Sequence, residues 1–261
     1  MLLPLVRLRK LWLERALRGY PLYDPPHKVE EHLLSREKAV ENFDYFMHVR
    51  QQRIAYFQGW LRQHFRVLVT PDGRGVRALN RWGNKYAGLL LVTDQRGRPN
   101  RSYFTYDPPW TGENARYNVL FDMGTLFGEI IIANRPNLRW DVDPISAFFP
   151  RTAKMLKRSP GMSFQRPSLI DVNDPVFEVH PLHDAWGFAY DMTSNLTTFE
   201  GINRYHSRDR ESRRRVREGL VNIFNAALRD DTSELRKRMS PEEYLKLIDA
   251  VESGERGNGD E

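Results

Sequence analysis

The stretch that decides the fold is Tyr117 to Trp140, which reads YNVLFDMGTLFGEIIIANRPNLRW. Its apolar residues recur at helical spacing and predict one helix over 116–134, which Pro136 ends because proline cannot continue a helix. Apolar side chains lie on both sides of this helix, as is typical of a buried helix. Gly124 and Gly128 stack four residues apart, so a neighbouring element can approach closely there.

A narrow polar stripe on this helix consists of Asp122, Thr125 and Glu129. Buried charges without partners are costly, so both carboxylates require partners. Two interpretations are open: Glu129 is a structural anchor paired with an arginine, or the two carboxylates perform acid–base catalysis. Their separation of about 10 Å along the helix axis is wide for carboxylates that flank one bond, which favours the structural role. The candidate arginine partners of Glu129 are Arg81, Arg135, Arg139 and Arg166.

Composition narrows the class of protein. The chain has 261 residues, of which 40% are hydrophobic, enough for one large domain or for one domain with helical extensions. It has no cysteine, which excludes disulfides, thiolate zinc sites and a cysteine nucleophile and is compatible with the cytoplasmic location that we predict. The net charge of +6 favours an anionic partner, such as an acidic protein, nucleic acid or a membrane surface. No apolar run approaches the roughly 20 residues of a spanning helix, so no transmembrane segment is predicted.

The spacing of apolar residues predicts an α+β fold, mostly helical, in which a small sheet accompanies the central buried helix. Pro167 restricts the second strand to a sheet edge, because proline lacks the N–H that a central strand donates. The predicted helices before the centre cover 36–48, 50–65 and 72–90, and the predicted strands cover 138–142, 163–172 and 176–180. The predicted units are an N-terminal basic helix and linker over 1–34, a main domain over 35–200, C-terminal helices over 201–252 and a disordered tail over 253–261.

The N-terminal segment predicts a basic amphipathic helix over 2–18. Its apolar face carries Leu5, Leu8, Trp12 and Ala16, and Leu2, Leu11 and Leu13 widen it. Such a helix packs on its own domain, on a partner or on a membrane surface. Packing on its own domain is favoured here, because lipid binding needs further signals.

Two basic segments are candidate binding surfaces. The long loop 94–114 combines arginines with aromatic residues that can stack on single-stranded nucleic acid; alternatively, its aromatic residues insert into the core. The segment 204–217 is either an anion contact or the solvated start of a helix, and Asp209 is spaced to pair with Arg213. The candidate binding residues are Arg96, Arg98, Arg101, Tyr103, Trp110, Arg208, Arg213, Arg214 and Arg217.

Residues 180–184, HPLHD, place His180 and His183 three apart beside an aspartate. Histidine and carboxylate are metal ligands, but Pro181 argues against a regular helix, and no further ligand cluster accompanies them. We therefore predict no metal site. Nucleotide-binding glycine motifs, a nucleophile elbow and the kinase motif set are all missing, so no cofactor is predicted either.

Near the C-terminus, Ser240, Pro241 and Glu243 form a strong helix start: an N-cap, a proline at the first helical position and a glutamate at the third. The helix that they begin is predicted to run to about Val251.

The order Gly128-Glu129, then Pro136, Leu138 and Trp140, resembles a pattern in uncharacterised bacterial domains, some of them linked to toxin-immunity or defence loci. The resemblance covers residues 35–170. It implies a small helical domain with a sheet and a protein-binding role, and it carries over no catalytic residues. The basic charge is a departure, since inhibitors of nucleases are usually acidic.

Three functional hypotheses follow. The first is a non-catalytic protein-binding module, an immunity or accessory protein, that recognises another protein through the 94–114 loop and the basic helices. The second is a nucleic-acid-associated protein that uses the same arginines. The third is a hydrolase or lyase, and it requires four side chains to converge in one cleft. Those candidate catalytic residues are Asp122, Glu129, His180 and His183.

Overall fold

A computed structural model describes residues 2–93, 108–142, 164–196, 203 and 205–229. Helices surround one central helix, and a three-stranded antiparallel sheet lies beside it, which confirms the predicted mostly helical α+β fold. Within the described residues, no helix is both long and apolar enough to cross a membrane. The helices are α1 (Leu2–Ala16), α2 (Arg36–Phe65), α3 (Gly73–Tyr86), α4 (Tyr117–Asn134), α5 (Pro181–Leu196), α6 (Arg210–Arg217) and α7 (Gly219–Leu228), and the strands are β1 (Leu138–Val142), β2 (Pro167–Asp171) and β3 (Asp174–Val179).

Helix α4 is the buried centre that its sequence predicts. Every residue from Tyr117 to Gly128 is buried, and the helix packs mainly against α5 and α2. The two glycines are the points of closest approach. A methyl group at Gly124 would lie 2.8 Å from the Cα of Leu182, and one at Gly128 would overlap the ring of Trp140. The missing side chains therefore allow α5 and β1 to contact the helix backbone.

Helix α2 is one continuous helix of 30 residues, so the prediction of two helices over 36–48 and 50–65 was wrong. No glycine or proline lies between the two predicted segments, and the hydrogen-bond ladder continues through them. The hydroxyl of Ser35 accepts a bond from the backbone N–H of Lys38 and caps the start. The helix predicted over 72–90 ends earlier than expected, at Tyr86, and a 3-10 turn follows over Ala87–Leu90.

The sheet has the order β1-β2-β3, so the prediction that Pro167 places its strand at an edge was wrong. Pro167 is the first residue of β2, opposite Val142, where a missing N–H does not interrupt the ladder. A proline is also tolerated at the first position of helix α5. Pro181 is the first residue of α5, where helices tolerate it, and the expectation of no regular helix there was also wrong.

Helix α1 packs on its own domain, but only part of the predicted apolar face is buried. Leu13 and Ala16 enter the core, whereas Leu8 and Leu11 are each 63% exposed. The segment after α1 is also part of the core, because Tyr20 and Tyr23 are buried. The domain therefore holds α1 by its C-terminal turns and leaves Leu5, Leu8 and Leu11 exposed.

The C-terminal part of the described chain consists of α6 and α7, which are separated at Glu218. Asp209 caps α6 by accepting from the backbone N–H of Ser212, so its expected pairing with Arg213 was wrong. The predicted helix from Ser240 and the predicted tail over 253–261 lie outside the described residues.

Candidate binding cleft

Asp122 is an internal ion-pair partner. The Nε and Nη2 atoms of Arg53 donate to its two carboxylate oxygens at 2.7 and 2.9 Å, and the hydroxyl of Tyr20 donates at 2.7 Å. Burial raises the pKa of Asp122 to about 6, although Arg53 and Tyr20 oppose the shift. The carboxylate is therefore ionised at pH 7, and it ties α4 to α2 and to the segment after α1.

Glu129 is tied to α2 and β1. Its carboxylate accepts from Arg50 at 3.1 Å, from Gln51 at 3.0 Å and from the indole N–H of Trp140 at 2.8 Å. It is an anchor, as favoured above, but the expected arginine partners were wrong because α2 lies beside α4 and supplies Arg50 instead. Arg135 and Arg139 bind Asp171 and Asp141, Arg166 is buried elsewhere, and Arg81 lines the cleft described below.

Each of the two histidines of the HPLHD segment lies beside an acidic residue that is close to it in sequence. His180 is 3.5 Å from Glu178, and His183 is 3.8 Å from Asp184. Burial lowers the pKa of His180 and favours its neutral form. Among the described residues, no group of three or more side chains is arranged to hold a metal ion. The structure joins the two central carboxylates to α2 and the histidines to their adjacent acids, so the hydrolase candidates do not form one hydrogen-bonded set.

A cleft of about 890 Å³ opens between α1, the end of α2 and α3, and we call it the basic cleft. The remainder of its lining comes from residues 67–68 after α2, the 3-10 turn after α3, helix α5, residues 205–206 and helix α6. Its cationic side chains are Arg9, Arg66, Arg81, Lys85 and Arg217.

The charge of the basic cleft has one sign. None of its described lining residues is aspartate or glutamate. In the described part of the chain, no carboxylate forms an ion pair with any of its five cations. Such partners are present elsewhere, for Arg50, Arg53 and Arg135 in the core and for Arg214 and Arg215 on α6. Like charges gathered around one concave surface repel one another and attract anions, because low-dielectric walls focus the field.

Helix α3 supplies much of this charge. Over Gly73–Tyr86 it has four basic residues and no acid. The bases lie at spacings of three, four and four residues, so they form one stripe along the helix. The stripe consists of Arg74, Arg77, Arg81 and Lys85, of which the last two line the cleft. Sequence reasoning missed this site, and the unbalanced stripe is the signal that identifies it.

Arg66 lies in the basic cleft with an unusual backbone. It ends α2 with φ 56° and ψ 36°, the left-handed conformation in which helices usually place glycine. The backbone N–H of Arg66 bonds the carbonyls of Arg62 and Leu61, so the turn closes the helix as a glycine would. A residue with a side chain is disfavoured there, which is consistent with a role for the guanidinium itself.

The walls of the basic cleft are aromatic and aliphatic. The rings of Phe65, Trp82 and Tyr86 contact one another, with centroids 4.7 to 5.9 Å apart. The Nε1 of Trp82 is buried without a hydrogen-bond partner among the described residues. Leu5 and Leu68, which are 47% and 60% exposed, line the opening. The cleft thus combines cations with exposed aliphatic surface.

The basic segment before and within α6 divides between two surfaces. Arg217 lines the basic cleft, with its guanidinium 5.4 Å from the ring centre of Tyr205. Arg213 and Arg214 line an adjoining hollow of about 820 Å³, where Arg214 pairs with Glu211 at 3.2 Å. Arg208 lies apart from both linings. It is partly buried near Asp191 and opposes the rise that burial causes in the pKa of Asp191.

The predicted loop surface is described only in part. Trp110 is 2% exposed and lies against Tyr23, Phe121 and Trp186, so its ring belongs to the core. The other candidates on this loop lie outside the described residues. They are Arg96, Arg98, Arg101 and Tyr103.

Comparison with protein-family models, with curated proteins and with solved structures found no match for this chain.

Proposed function

We propose that this chain is a non-catalytic protein-binding module and that the basic cleft takes an acidic, amphipathic segment of a partner protein. We propose that this binding serves an accessory role, such as immunity. The observation that carries the proposal is the set of five cleft cations, which have no carboxylate partner among the described residues and lie beside exposed leucines.

The chemistry of the cleft matches an acidic segment with one apolar face. Carboxylates of the segment would pair with Arg81 and Lys85, and its apolar side chains would cover Leu5 and Leu68. Covering such leucines stabilises a complex by about 25 cal/mol for each Å² of apolar surface removed from water. Protein–protein interfaces typically combine an apolar centre with a polar rim, and the basic cleft likewise combines exposed leucines with cations.

The same features disfavour nucleic acid as the ligand. Binding of single strands needs ring faces on which bases stack. Trp82 and Tyr205 are only 2% and 1% exposed, so their rings form walls instead of platforms, and the half-buried rings of Phe65 and Tyr86 pack against Trp82. Phosphates gain nothing from aliphatic surface such as Leu68. The catalytic hypothesis loses support because Asp122 and Glu129 are each engaged by an arginine of α2.

A synthetic helical peptide with glutamates on one face and leucines on the other is the probe for this site. Fluorescence anisotropy at about 0.15 M salt, where the screening length is about 8 Å, measures its affinity for the full chain. We expect binding of this peptide and none of a peptide in which lysine replaces glutamate. A single-stranded thymidine oligonucleotide of equal charge that binds more tightly than the acidic peptide would overturn the proposal.

Matched variants locate the binding. Arg81→Glu and Arg77→Glu change the charge equally on the same exposed side of α3, but only Arg81 lines the cleft. Loss of one close charge pair corresponds to roughly tenfold in affinity, so we expect at least that loss for Arg81→Glu and less than about threefold for Arg77→Glu. Arg66→Gly should weaken binding without loss of stability, because glycine suits its backbone. Equal effects of Arg81→Glu and Arg77→Glu would contradict the proposal.

A further inference from the structure

We infer that the basic cleft has an occupant within this chain: residues 240–261, which we call the C-terminal acidic segment. In the free protein this segment lies in the cleft and competes with the partner. The inference goes beyond the proposed function, because it depends on the chemistry of the cleft and not on any external partner.

The composition of the C-terminal acidic segment complements the cleft. It contains seven acidic residues and only two basic ones. Its predicted helix, which begins after Ser240, places four apolar side chains on one face at spacings of three, one and three residues. They are Tyr244, Leu247, Ile248 and Val251. Acids therefore flank an apolar face, and the cleft offers cations beside exposed leucines.

The length of chain beyond the described end is sufficient for this contact. Arg217 lines the cleft, and α7 follows directly after it. The ten residues of α7 cover about 15 Å. The described chain ends at Arg229, whose carbonyl accepts from Arg135. The ten residues from 230 to 239 span up to about 33 Å when extended, about twice the length of α7. The connection can therefore return the C-terminal acidic segment to the cleft.

Distance measurement on the full chain tests the inference. The chain has no cysteine, so nitroxide labels at Arg77→Cys and Lys246→Cys are the only ones attached. Pulsed electron–electron double resonance then reports the separation between the exposed side of α3 and the C-terminal acidic segment. We expect one narrow distance near two helix diameters, about 20–24 Å, which lengthens and broadens when the acidic probe peptide is added. A broad distribution that the peptide does not change would overturn the inference.

A neutralised variant supplies the second measurement. Glu242→Gln, Glu243→Gln, Asp249→Asn and Glu252→Gln together remove four charges from the segment and leave its apolar face. If the segment occupies the cleft nine-tenths of the time, the neutralised chain binds the peptide about tenfold more tightly. Equal peptide affinities of the two chains would overturn the inference and leave the proposed function standing. A narrow distance between the two labels that broadens in the neutralised chain, with no peptide binding by either chain, would support the inference and overturn the proposed function.

Discussion

Replacing Asp122 with alanine should cost far more stability than replacing Glu129, although both carboxylates lie on α4. Asp122→Ala removes three hydrogen bonds of 2.7 to 2.9 Å and leaves the guanidinium of Arg53, which is 7% exposed, without its counter-charge. Removing one partner of a buried ion pair costs about 3–5 kcal/mol. Glu129 and its partner Arg50 are 25% and 23% exposed, so water replaces much of what Glu129→Ala removes. We expect a loss of about 1–2 kcal/mol there.

Urea unfolding of the two variants and the unchanged chain measures this difference. The midpoint should fall more for Asp122→Ala, while the slope with urea stays the same in all three chains, since the slope reports exposed surface. The conservative variant Asp122→Asn retains the shape of the side chain and separates loss of charge from loss of packing. The reasoning is refuted if Asp122→Ala is no more destabilising than Glu129→Ala.

Three further outcomes are expected. Gly128→Ala should destabilise by about 1–3 kcal/mol, because its methyl group overlaps the ring of Trp140; an increase in the thermal midpoint would contradict the close packing. Gly59→Ala should stabilise by about 0.5–1 kcal/mol, since the exposed helical position has nothing within 4 Å; calorimetry that shows a loss would contradict this. Burial raises the pKa of Asp122 to about 6 in the folded chain, above about 3.9 in the unfolded chain. The stabilisation from its bound proton is therefore complete below about pH 4 and lost as pH rises to about 6, so the chain should lose up to about 3 kcal/mol relative to Asp122→Asn over this range; a difference that does not change with pH would count against the shift.

The central helix was predictable from the sequence because its apolar residues cover both sides and Pro136 ends it. The same local rules failed where context decides. A proline at 181 or 167 breaks an element only in its interior, and the sequence does not show which residue comes first. Similarly, apolar spacing in α1 identified a helix but only part of the face that is buried, because the position of α1 on the domain depends on residues distant in sequence.

The candidate site was predicted least well. Arg217 was among the predicted binding residues, whereas Arg9, Arg66, Arg81 and Lys85 come from three separate helices or helix ends. Only the folded chain brings these cations together. The absence of acids along α3 was visible in the sequence, but a basic stripe alone does not distinguish a binding surface from a solvated face. The partners of Glu129 were missed for the same reason, since the packing of α2 on α4 selects Arg50.

The most direct test of the central claim is recovery of partners by tagged full-length chains from the native cells. Wild type, Arg81→Glu and Arg77→Glu are compared, each with and without nuclease, and mass spectrometry quantifies what each chain retains. We predict that the wild type and Arg77→Glu each retain an acidic protein in an amount nearly equal to that of the tagged chain, with or without nuclease treatment. Arg81→Glu should lose this protein. Partners that disappear with nuclease, or that Arg81→Glu retains as well as wild type does, would contradict the claim that the basic cleft binds an acidic protein segment.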